Sequence, residues 1–166
     1  MPGAVPSSQL SAALSPQEAS TLRRAARILE KRFIATPNFA VRCRKDVIDY
    51  LRFRFAGLER EEFHALWLDV RHQLIAAECL SVGTLTRTAV YPREIIKHAL
   101  KHNAAAVIFA HNHPSGSTKP SKMDHALTEE LKIALHLIDV RLCDHIVVTE
   151  REAVGIEGPT SRRRAM

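Results

Sequence analysis

The residues with the most chemical content lie between His111 and Asp124. Two imidazoles, His111 and His113, are separated by Asn112 at the end of an apolar run. Side chains two apart on an extended chain point to the same side, so both imidazoles leave the strand end together while Asn112 faces away. A polar loop from Asn112 to Pro120 then leads into a helix that begins at Ser121, with Asp124 in its first turn. Two imidazoles and one carboxylate, from a strand end and a helix start, suit Zn²⁺. Catalytic zinc commonly takes three protein ligands at roughly 2 Å and keeps a fourth position for water, whose pKa it lowers to about 7. Plainer readings use the same residues. Loop histidines are unremarkable in a chain with nine of them, and Ser121 with Asp124 also fits a helix capping box. Spacing alone leaves both open.

Other arrangements of reactive residues fit less well. His98 and His102 lie four apart on a predicted helix, but Ala99 stands where a thermolysin-like site needs Glu, and a solvated helix face is the simpler reading. The H-x-E and P-C-x-x-C signature of zinc deaminases is absent, as are a Gly-rich phosphate loop and a G-x-S-x-G elbow. Cys43, Cys79 and Cys143 are odd in number and form no C-x-x-C pair, which argues for buried free thiols over disulfides or a cysteine zinc knot.

Positioning the His111–Asp124 stretch requires strands and helices in alternation. Ser15-Pro16-Gln17-Glu18 starts a helix, and Leu22, Ala25, Ala26, Leu29 and Phe33 continue it at helical spacing to about Lys31. Thr36-Pro37-Asn38 breaks the pattern. A second helix is expected over Lys45 to Phe55, stopped by Gly57. Phe63 to Val70 and Leu74 to Val82 read as strands of a hairpin turning at Arg71-His72-Gln73. Tyr91-Pro92 opens a third helix ending near Asn103. Ala104 to His111 reads as a strand covered on both faces. Met123, Leu127, Leu131, Ala134, Leu135 and Ile138 mark a helix, and Val140 to Thr149 a further strand. The order predicts an α/β or α+β sandwich around one central sheet.

Composition sets outer bounds. The chain has 166 residues, 46% hydrophobic and 25% charged, which suits one globular domain. Its longest apolar run, Ala104 to Ala110, is far short of the ~20 residues of a membrane helix, and no secretory signal opens the chain; a cytoplasmic protein is the expectation. Formal net charge is +6, three of which sit in the tail Arg162-Arg163-Arg164. Arg42, Arg44, Lys45, Arg52 and Arg54 form a second basic cluster, suited to weak nucleic-acid contact or simply to solvation. With 5% aromatics, few platforms exist for stacking single-stranded bases.

The run from His111 to Asp124 resembles the JAMM motif of the MPN metalloprotease superfamily: H-x-H, seven residues, then S-x-x-D. The wording His-Asn-His-Pro-Ser-Gly is that of the RadC family. The likeness extends through Leu68-Asp69, Gly83-Thr84-Leu85, Val90-Tyr91-Pro92-Arg93-Glu94, Asn103-Ala104-Ala105-Ala106 and Asp144-His145, over about Val41 to Glu157. The resemblance implies a three-layer, cytidine-deaminase-like α/β fold with a central mixed sheet. It divides the chain into a leader and helix over 1–40, the RadC-type domain over 41–160 and a basic tail over 161–166. It implies Zn²⁺ held by His111, His113 and Asp124, with Ser121 assisting the oxyanion. The motif's upstream glutamate is placed at Glu62, as general base and acid, in preference to Glu61; a slip of one residue would reverse its facing. The implied activity is a zinc-activated water attacking a peptide or isopeptide-type amide of a peptide or protein substrate. The alternative is a DNA-associated repair or mobile-element accessory protein with a structural or vestigial zinc site. The layout of full-length family members resembles a helix-hairpin-helix unit fused ahead of this domain; with about 40 residues before it here, holding one clear amphipathic helix, that DNA-binding half is expected to be missing.

Overall fold

A computed structural model describes residues 14–35, 44–83 and 90–156. Helices α1 (Pro16–Ala35) and α2 (Arg44–Arg54) precede the hairpin β1 (Glu62–Leu68) and β2 (Leu74–Val82). Helix α3 (Pro92–Lys101), strand β3 (Ala106–Asn112), helix α4 (Lys122–His136), and strands β4 (Arg141–Val148) and β5 (Ala153–Gly155) follow. The five strands form one sheet in the order β2-β1-β3-β4-β5. β3 and β4 run parallel, joined through α4, and the other neighbours are antiparallel. This is the mixed-sheet α/β arrangement expected from the sequence.

Both faces of the sheet are covered, by two separate cores. Phe63, Ala65 and Trp67 of β1 and Val107 and Phe109 of β3 pack with Ile95 and Ala99 of α3 and Leu131 and Leu135 of α4. The residues between them, Leu66 and Leu68 of β1 and Ile108 and Ala110 of β3, pack with Val47, Tyr50 and Leu51 of α2 and Ala26 of α1. Period-two alternation therefore sorts the central strands onto two apolar faces, and each face needs a helical layer to keep it from water.

Local chemistry sets the element ends. Ser15 and Glu18 form the expected reciprocal cap, with the Ser15 N–H donating to the Glu18 carboxylate at 2.8 Å. The hairpin turn is held by Asp69, whose Oδ1 accepts from the N–H groups of Arg71 and Gln73, both at 2.8 Å. Three details depart from the sequence reading. Helix α1 runs on past Lys31 to Ala35, the residue before the Thr36-Pro37-Asn38 break, and it packs against α2. The short edge strand β5, too brief for a periodic pattern, went unforeseen. Cys79 is exposed on β2 and Cys143 half-buried, so neither is the buried thiol expected, since β2 is an edge strand. Cys43, Arg42, the break at 36–38 and the tail arginines lie outside the described residues. Among those described, no helix is long and apolar enough to cross a membrane.

Gly57 ends α2 with φ +65, and a Cβ there would collide with Ala19 of α1. Gly57→Ala is expected to lower unfolding free energy by about 1–3 kcal/mol, from the left-handed backbone and the forced separation of α1. Urea denaturation measures it; an unchanged midpoint would contradict this account of how α1 docks.

Candidate metal centre

The two-face sorting of β1 and β3 decides which polar residues meet. Phe63 pairs with His111 across the antiparallel β1–β3 ladder, and the two rings stack with centroids 6.4 Å apart. His111 thus extends the face that carries Val107 and Phe109, towards α4. Glu61, two residues before Phe63, belongs to that face, whereas Glu62 belongs to the other. The structure gathers Glu61, His111, His113 and Asp124 with one ligand atom from each within 4.8 Å of the rest. Glu62 does not join them. Its carboxylate lies 2.7 Å from His64 Nε2, beside Cys79, on the α2 side of the sheet. The glutamate placed at Glu62 from sequence is therefore corrected to Glu61, displaced by one residue and hence by one face.

Asn112 fixes the approach of Glu61. Its carboxamide oxygen accepts the Glu62 N–H at 2.8 Å, and its nitrogen donates to the Arg60 carbonyl at 2.9 Å. The Glu61 carbonyl in turn accepts from Gly83 at 2.9 Å. Backbone groups on either side of Glu61 are thus tied to the residue between the two imidazoles.

Proton counting shows what the imidazoles present. His113 Nδ1 stands 2.7 Å from the Ser117 carbonyl, which can only accept, so Nδ1 carries a proton and in the neutral ring Nε2 is left with a lone pair. The loop makes this contact by a turn in which Gly116 (φ +80) donates to the His113 carbonyl at 3.0 Å. His111 Nδ1 meets His145 Nε2 at 2.8 Å and its own Nε2 faces His113 Nε2 at 2.9 Å. Asp124 Oδ1 lies 3.3 Å from His111 Nε2 and Oδ2 lies 3.7 Å from His113 Nε2, with Glu61 Oε1 3.9 Å from His111. Ligands around a tetrahedral zinc at 2.0–2.2 Å stand roughly 3.3–3.6 Å apart, close to these separations. Bare nitrogen lone pairs facing each other and a carboxylate repel unless a cation joins them. The donor set therefore fits a divalent N/O-seeking ion.

Asp124 is placed by the helix cap anticipated as its plain reading. Ser121 Oγ accepts from the Asp124 N–H at 3.1 Å, and Asp124 Oδ2 accepts from the Ser121 N–H at 2.6 Å. The cap and the ligand geometry are compatible, because the cap turns Oδ1 towards His111. Burial opposes charge on Asp124, but His111 and the Ser121 hydroxyl and N–H outweigh it and hold the carboxyl well below its ordinary range. Burial and the neighbouring His111 push His145 down to about 3, so it is a neutral imidazole. A groove of about 800 Å³ opens beside His113 and Pro114 and runs past Phe53, Phe55 and Leu58.

Two further groups of polar side chains look metal-like but are filled by their own contacts. Around Cys79, burial and the nearby Glu62 charge raise the thiol to about 11, leaving it protonated. Around Glu78, His98 Nδ1, His102 Nε2 and Trp67 Nε1 lie 2.8, 2.9 and 3.0 Å from a single carboxylate oxygen, with Lys101 at 3.4 Å from the other. His98 and Trp67 hydrogen-bond that oxygen while His102 Nε2 meets it as a close contact without hydrogen-bond geometry, and both histidines face this carboxylate rather than solvent alone. In the basic cluster, Arg44 pairs with Asp144 at 3.2 Å and Arg52 donates to the Glu150 carbonyl at 3.2 Å. Burial works against the Glu78 charge, but His102, His98 and Trp67 prevail and bring it to about 2 from an ordinary 4.5. A carboxyl depressed on folding contributes stability that is complete above about 4.5 and is lost as pH falls towards 2. Glu78→Gln should therefore melt below wild type at pH 7, with the gap narrowing by pH 3.5. Thermal melts at both values test this, and a constant gap would contradict it.

A family model described as the RadC-like JAB domain matches residues 41–160. UPF0758 protein YkfG of Escherichia coli K12 is 48% identical over 139 residues, covering 84% of this chain and 87% of that protein. UPF0758 protein YeeS of the same organism is 49% identical, covering 81% of this chain and 90% of its own length. A UPF0758 protein of Polaromonas is 52% identical over 76% of this chain, with 54% of its own length covered.

Proposed function

Since this chain belongs to the RadC-like JAB domain family, we propose that it is a zinc-dependent hydrolase of the JAMM metallopeptidase type, acting on a peptide or isopeptide-type amide. The wider JAB/MPN superfamily includes metallohydrolases and its domains often bind metal, while the UPF0758 names of the relatives specify no activity. The observation that carries the reading is the set of three acceptors, His111 Nε2, His113 Nε2 and Asp124, facing one another with Glu61 beside them.

In this reading His111, His113 and Asp124 hold the ion. When bound, zinc supplies Lewis acidity that polarises an amide carbonyl and brings a coordinated water's pKa to about 7. Glu61 is the general base: held by the Asn112 and Gly83 contacts, its carboxylate takes the proton of the attacking water. The same carboxyl returns that proton to the leaving nitrogen, so that the amine departs neutral. Ser121, whose hydroxyl oxygen is the acceptor in the capping bond, can turn its hydroxyl proton to the carbonyl oxygen as negative charge develops there. The groove beside His113 would receive the flanking part of an extended substrate, with Phe53, Phe55 and Leu58 as its apolar wall. A nucleic-acid role is the weaker reading, because Arg44 and Arg52 are engaged with the protein itself.

Metal analysis and a screen of fluorogenic peptide amides and isopeptide-linked conjugates test this together. His113→Ala is expected to lose stoichiometric zinc. Glu61→Gln should keep the metal and lose roughly 10²–10⁴-fold in turnover, the usual scale of a general acid–base group, while Glu62→Gln stays within a few-fold of wild type. Full zinc in His113→Ala, or undiminished turnover in Glu61→Gln, overturns the assignment.

A further inference from the structure

A hydrogen-bonded chain runs from helix α4 to the metal-facing nitrogen of His111. Thr128 lies one helical turn beyond Asp124, and its hydroxyl is 2.6 Å from the Asp124 carbonyl. The same hydroxyl oxygen is 2.6 Å from His145 Nδ1, and His145 Nε2 is 2.8 Å from His111 Nδ1. Thr128 and His145 are both fully buried, at 0% exposure. The His145 ring sits edge-on to Phe63 and Phe109, with centroids 5.4 and 6.2 Å away.

The direction of every proton in this chain follows from its first link. A hydroxyl has one proton, and the Asp124 carbonyl at 2.6 Å has none to give, so Thr128 donates to that carbonyl. Its oxygen must then accept from His145, which places the His145 proton on Nδ1. His145 Nε2 is consequently an acceptor, and His111 must donate to it from Nδ1. His111 Nε2 is thereby kept as a lone pair, aimed at His113 and Asp124.

We propose that Thr128 and His145 are positioning residues for the metal centre: their hydrogen-bond chain sets the tautomer and ring orientation of His111, reserving Nε2 for a zinc-type ion. The inference rests on the metal reading above for its purpose, though not for its geometry. Helix α4 then serves the centre twice, supplying Asp124 as a ligand and, through its backbone carbonyl and Thr128, the proton order of a ligand on another element. Partners of this kind behind a ligating histidine typically change metal affinity by about 10–100-fold when removed.

The test uses the full chain in two states. In metal-free protein at pH above 8, where imidazoles of ordinary pKa are neutral, long-range proton–nitrogen NMR should show His111 and His145 each protonated at Nδ1. The Thr128→Val variant keeps the side-chain shape and should mix the tautomers, while Thr128→Ser restores them. In zinc competition against a chelator, Thr128→Val and His145→Gln are expected to lose about 10–100-fold in affinity and Thr128→Ser to match wild type within a few-fold. The zinc-induced rise in melting temperature should shrink in Thr128→Val even where its metal-free melt equals that of wild type, which a purely structural role would not produce. His111 protonated at Nε2 in wild type, or unchanged affinity in a folded Thr128→Val, overturns the proposal. Failure of the wild-type chain to take up zinc sinks the metal reading instead, and the tautomer measurement still decides the relay.

Discussion

The antiparallel pairing of Phe63 with His111 is the contact on which the site depends. It sets the facing of two strands at once: the imidazoles emerge towards α4, and Glu61 approaches from the neighbouring strand on the same side. Because side chains alternate, a shift of one residue in this pairing would send Glu61 to the α2 face and bring Glu62 with its histidine partner into the centre. The register is guarded by burial on both faces. Phe63, Ala65 and Trp67 fill one core and Leu66 and Leu68 the other, so a slipped strand would put aromatic rings where the α2 layer expects aliphatic ones.

Around that pairing, backbone and polar side chains do much of the positioning that loops alone would leave open. Asn112 ties down the segment that presents Glu61, Gly116 turns the Ser117 carbonyl onto His113, and Ser121 orients Asp124. Each of these bonds also satisfies a backbone or side-chain group that would otherwise go unpaired near the sheet end. A structural cap and a candidate ligand at Ser121–Asp124 are therefore not opposed, since the cap is what turns the Asp124 carboxylate towards the imidazoles.

Much of this was legible from residue order. Period-two spacing placed His111 and His113 on one side, the Ser121–Asp124 cap marked the helix that carries the carboxylate, and Gly57 marked the end of α2. The details that local patterns missed are ones that packing supports: α1 continues to Ala35 alongside α2, and β5 is three residues held by β4. Thr128 carried no signal of its own, and His145 stood out only within the family-like pair Asp144-His145, with no role attached. One sits in an apolar helical pattern and the other in an apolar strand, and their meeting depends on β4 lying parallel to β3 under α4.

The sequence by itself determined the types and order of the candidate ligands and the facing of any two on the same strand, because those follow from short spacings and fixed local periods. Only the tertiary structure decided between Glu61 and Glu62. Both faces of β1 are buried, so hydrophobicity gives no sign of which way its leading residue points, and the answer lies in a cross-strand partner roughly fifty positions away. The same holds for the proton order behind His111, since a tautomer is set by what each ring nitrogen touches, and those neighbours come from strands and a helix that only folding brings together.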